Sequence, residues 1–76
     1  MTVKVAGSGE VVEQVFWLDL RQRTAGVMLR SDDGRERCSE RPLADFFIAE
    51  QPRVNRAKAI ENWLGSRAQV IVEDDS

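Results

Sequence analysis

The sequence predicts an α+β fold: a mainly antiparallel sheet, in chain order β-β-β-β-α-α-β, with two short helices packed on one face. Three observations carry that expectation. Residues 15–40, VFWLDLRQRTAGVMLRSDDGRERCSE, hold strand-forming runs interrupted by Asp32-Asp33-Gly34. Asp-Gly between such runs is a strong hairpin signal, because glycine supplies the positive φ of a tight reversal. Residues 43–64 change to apolar spacings of three and four, the period of a helix, and residues 68–73 return to a β-branched run.

Val3 and Val5 alternate with Thr2 and Lys4, a short strand over residues 2–6 that Gly7-Ser8-Gly9 breaks. A long strand follows over residues 11–21. Alternation puts Phe16, Leu18 and Leu20 on one face and Val15, Trp17, Asp19 and Arg21 on the other. A helix is the rival reading of this stretch. At about 100° per residue, however, Asp19 lands among the apolar side chains, whereas alternation separates it from Leu18 and Leu20. Residues 22–25 turn the chain into a strand over residues 26–31.

The hairpin that follows has two possible registers. A two-residue loop sets Arg30 opposite Arg37, and like charges directly opposite destabilise. A three-residue loop over residues 32–34, with Gly34 left-handed, sets Arg30 opposite Glu36 and Met28 opposite Cys38. That register is better by roughly 1 kcal/mol and is the expected one. Residues 35–40 offer no apolar face, which suits an edge strand protected by its charges.

Pro42 suits the first turn of a helix, and Leu43, Phe46 and Phe47 make one stripe along it. Pro52 closes that helix and opens a second, in which Val54, Ala57, Ile60 and Leu64 share a face and Gly65 caps the end. Trp63 falls on the shoulder of this helix, near Arg56. Val70, Ile71 and Val72 are apolar on both sides of the last strand, so an inner or doubly covered position is expected. Residues 73–76 read as a frayed acidic tail, and the whole of residues 1–76 as one domain.

With 42% hydrophobic and 32% charged residues, the composition is that of a small globular domain. No apolar run approaches the roughly 20 residues of a membrane span, and no leader-like segment opens the chain. A cytoplasmic protein without a membrane partner is expected. One cysteine excludes an internal disulfide, and a net charge of -2 gives no bulk attraction to nucleic acid.

Catalytic constellations are scarce. The chain has no histidine and no tyrosine, so Cys-His and Ser-His pairs and histidine metal sites are excluded, as is a thiolate zinc site with one cysteine. Asp32-Asp33-Gly34 lacks the alternating oxygens of a calcium loop, and Gly7-Ser8-Gly9 lacks the spacing of a phosphate loop. Both read as turns. Cys38 stands among Arg35, Arg37 and Arg41, as a reactive thiol would, although packing opposite Met28 explains it as well. Neither enzymatic activity, cofactor nor metal is expected.

What remains is binding. Trp17, Met28, Arg21 and Arg30 are placed on the sheet face away from the helices, and Arg56 with Trp63 forms a smaller patch. Trp, Met and Arg are the types enriched at interface cores. The expected function is a non-enzymatic protein-interaction module, of the kind phage and mobile elements use as inhibitors that occlude a host or defence protein. The alternative is a single-stranded nucleic-acid binder using the Trp17, Arg21 and Arg30 face, with the acidic balance against it. A homodimer is compatible with so small a core, though not through the charged edge at residues 35–40.

Overall fold

The computed structural model describes residues 1–73 and contains six strands and one helix in a single sheet-based unit. The strands are β1 (Val3–Val5), β2 (Val11–Asp19), β3 (Thr24–Arg30), β4 (Glu36–Pro42), β5 (Phe46–Ile48) and β6 (Val70–Val72), with α1 at Ala57–Arg67. The sheet order is β4-β3-β2-β1-β5, all antiparallel, and β6 joins β2 in parallel. β1 meets β2 only at Lys4 and Val11. The rest of that edge of β2 is therefore open to β6, which pairs Trp17 with Val70, Leu18 with Ile71 and Asp19 with Val72.

The hairpin has the expected register. Arg30 faces Glu36, Met28 faces Cys38, and Gly34 is left-handed at φ +86°. β4 is the expected edge strand, exposed along most of its length.

β2 departs from simple alternation. Its ladder with β3 slips between Val12 and Gln14 and again between Val15 and Trp17. Each bulge adds one residue and turns the following side chain to the other face. Val12, Val15 and Leu18, three apart, are thus all buried on the inner face, opposite Leu29, Val27 and Ala25. Strict alternation separates Val15 from Leu18, and the bulges bring them together. Trp17 and Asp19 remain on the outer face.

The first expected helix is absent. Leu43–Asp45 forms one 3-10 turn, and Phe46-Phe47-Ile48 then extends as β5 along β1, pairing Val5 with Phe46 and Val3 with Ile48. The stripe of Leu43, Phe46 and Phe47 fits a helix, but Phe and Ile are good strand formers and β1 offers an unpaired edge. The second helix starts at Ala57 rather than at Pro52. Val54 lies outside it and is 51% exposed, so the buried face reduces to Ile60 and Leu64, with Ala59 and Trp63 partly covered. Gly65 is inside the helix rather than its cap, and Ala68 closes it with an N–H bond to the Leu64 carbonyl.

β6 is neither inner nor covered. Val70 and Ile71 are 57% and 43% exposed. Of the expected frayed tail, residues 74–76 lie outside the described residues. No described helix is long and apolar enough to cross a membrane.

Candidate functional site

Two surfaces stand out, one on each side of the sheet. The first is the outer face of β2, β3, β4 and β6. Its central row runs Val70, Trp17, Gly26, Glu40 across the four strands. Trp17 packs over Gly26, so close that a Cβ there would collide with the indole Nε1 and Cε2. The second bulge adds Phe16 beside Trp17. Together with Gly26, Cys38 and Glu40 they line a shallow hollow of about 250 Å³. The next row places Gln14, Met28 and Cys38 side by side, and the one beyond it Val11, Arg30 and Glu36. Among the described residues no other element covers this face. Ile60 and Leu64 of α1 belong to the core on the inner side.

The charges of this face are mostly acidic. Arg30 is held by Glu13, with Nε to Oε1 at 2.7 Å, and also faces Glu36. Asp19 accepts the N–H groups of Arg21 and Gln22 at 2.9 and 3.1 Å, which fixes the turn out of β2. Arg21 belongs to that exposed turn rather than to the strand. Of the sequence-derived candidates, Trp17, Met28 and Arg30 share the outer face, and Arg21 stands at its end. Trp63 and Arg56 are not together. The cation on the Trp63 ring is Arg67, with its guanidinium carbon 4.1 Å from the ring centroid. Arg56 turns the other way and donates from Nε to Gln51 Oε1 at 2.9 Å. The helix periodicity is satisfied by either arginine, and packing selects the later one.

The second surface escapes sequence reasoning because its parts are far apart in the chain. A groove of about 380 Å³ runs between the Leu43–Asp45 turn, β5 and the start of α1. Leu43, Val54 and Ile60 line it, and Arg23 and Arg56 stand among its lining residues. Arg23 comes from the turn between β2 and β3 and has φ +55°, unlike any other non-glycine described residue. That positive φ next to an apolar recess is the signal for the site, and it is visible only in three dimensions.

Several carboxylates are held below their ordinary range. Arg37 does this to Glu10 by hydrogen bonding, with help from the Ser8 hydroxyl. The Ser31 hydroxyl and then the Arg35 N–H do so for Asp33, and the Thr2 N–H for Glu50. These are anchored, fully ionised groups, suited to structural ion pairing rather than to proton transfer near neutral pH. No group of three or more acidic or thiol side chains converges as a metal site among the described residues. Cys38 is exposed on the outer face.

No protein-family model, curated protein or solved structure matches this chain.

Proposed function

We propose that this protein is a non-enzymatic interaction module that binds another protein through the outer face of β2, β3, β4 and β6, and acts by occluding what it covers. The row Val70, Trp17, Gly26, Glu40 carries the reading. A tryptophan seated on a glycine offers an apolar surface, and Phe16, Met28 and the 57% exposed Val70 extend it. Such anchors ringed by polar groups are typical of interface cores. Glu36 and Glu40 on this face favour a partner with a basic rim. The same charges weigh against single-stranded nucleic acid, since Arg30 is already paired with Glu13 and cannot freely hold a phosphate.

Cys38, the one cysteine of the chain, provides the test because it lies in this face. A thiol-coupled photocrosslinker at Cys38, activated in lysate of the source cells, should give a discrete protein adduct that Trp17→Ala abolishes while the circular dichroism is retained. An adduct at twice the chain mass identifies a second copy as the partner. No adduct, or one indifferent to Trp17→Ala, rejects the reading. So does saturable binding of single-stranded oligonucleotide that falls steeply with salt.

A further inference from the structure

We propose that the groove beside the start of α1 receives an acidic peptide segment carrying one apolar side chain. This site is separate from the outer sheet face and stands or falls independently of it. Leu43 and Ile60, both part of the core, line the groove together with Phe47 and Val54. Val54 is a large apolar side chain left 51% exposed in a turn, where nothing in the fold requires it. The recess, about 380 Å³, is large enough for an aromatic or branched side chain with its flanking backbone.

The charge around the recess selects the rest of the ligand. Arg23 and Arg56 line it, and no carboxylate among the described residues does. Arg23 reaches Glu61 only at 3.9 Å, a loose pair whose arginine is largely exposed. Arg56 commits Nε to Gln51, and its terminal nitrogens have no hydrogen-bond partner among the described residues. α1 adds to this field, because its first turn holds no acidic residue and its N-terminal end is positive. Asn55 Oδ1 accepts the Ala57 N–H, and helix geometry leaves the next amides without intrahelical partners. Guanidinium groups bind carboxylates in a bidentate fork, so flanking Glu or Asp residues of a peptide meet their match here.

A nucleic acid fits less well. Its phosphates need a continuous cationic track and flat stacking surfaces, whereas this site is a short groove in which two arginines stand beside Leu43, Val54 and Ile60.

Fluorescence anisotropy with labelled Glu-Glu-Phe-Glu-Glu tests the proposal on the full chain. Saturable binding is expected at low salt, weakening as salt rises. Arg23→Gln and Arg56→Gln should each weaken it about tenfold. Ala57→Leu fills the groove without removing charge and suits a helix, so it should abolish binding while the circular dichroism is unchanged. Arg35→Gln, in the distant hairpin, should leave affinity as it was. Four results would overturn the proposal: no saturable binding up to about millimolar peptide; equal binding of Gln-Gln-Phe-Gln-Gln or Glu-Glu-Ala-Glu-Glu; indifference to both arginine variants; or an oligothymidylate that binds more tightly with the same arginine dependence.

Discussion

Arg37 grips Glu10 across the end of the sheet, with Nε donating to both carboxylate oxygens at 3.2 and 3.0 Å and a terminal nitrogen to Oε1 at 2.6 Å. Glu10 is only 8% exposed, and it is the one buried charged residue among those described. Arg37 lies opposite Leu29, on the side of β4 that faces the core. A charge on the inner side of an edge strand blunts that edge against further pairing. The Glu10 carboxyl is held below its ordinary value, so its contribution to stability is present above the unfolded-state pKa of about 4.3. That contribution disappears as the pH falls through the lower folded-state value.

Urea unfolding across the acid range should therefore show a steep loss of stability below about pH 4.3, and Glu10→Gln or Arg37→Gln should flatten it. The limb will not vanish, because Asp33 and Glu50 are also held low by their hydrogen bonds. The Glu10→Gln, Arg37→Gln double variant should match either single one in slope. A pH profile unchanged by both single variants would show that the pair is not coupled to folding.

Gly26 is required by Trp17 rather than by its own backbone, since its φ is not in the positive range. Gly26→Ala should destabilise by about 1–3 kcal/mol through overpacking. Removing the ring should relieve most of this, so the loss in Gly26→Ala with Trp17→Ala should be clearly less than the two single losses added. Additive losses in chemical denaturation would mean that the indole is not seated on the glycine in solution.

The turn at Arg23 sets stability against binding. A non-glycine residue in the left-handed region costs about 1–2 kcal/mol, partly offset by the greater unfolded-state freedom of glycine. Arg23→Gly should leave the unfolding free energy unchanged or raise it by up to about 1 kcal/mol, while weakening the acidic peptide. Arg23→Val should lower stability, because a β-branched residue is poorly accommodated at φ +55°. Thermal melts of the two variants should move in opposite directions from the parent or, for glycine, not move.

Local chemistry made the centre of the fold legible and left its margins obscure. The hairpin register follows from Gly34 and from the cost of facing Arg30 with Arg37, so Trp17, Met28 and Arg30 could be assigned to one face. The bulges of β2 carry no comparable signal. They are recognisable only from the burial of Val12, Val15 and Leu18 at a spacing of three. Phe46 and Phe47 suit a strand and a helix equally in sequence, and the free edge of β1 decides between them. The groove joins Arg23, Leu43 and Ile60 from three separate segments, and no short window of sequence contains it.

Val54 and Leu64 bring that distinction to a measurement. Their spacing puts them on one helical stripe, which implies similar costs on truncation. In the structure Leu64 is wholly buried, whereas Val54 sits in the turn before α1 and is 51% exposed. Leu64→Ala should cost about 2–5 kcal/mol, since it opens a cavity against the sheet. Val54→Ala should fall within about 0.5 kcal/mol of the parent, as an exposed substitution does. Equal losses in urea would place Val54 on the buried face of a longer helix. They would also remove one lining residue of the groove, because a buried Val54 could not meet a peptide side chain.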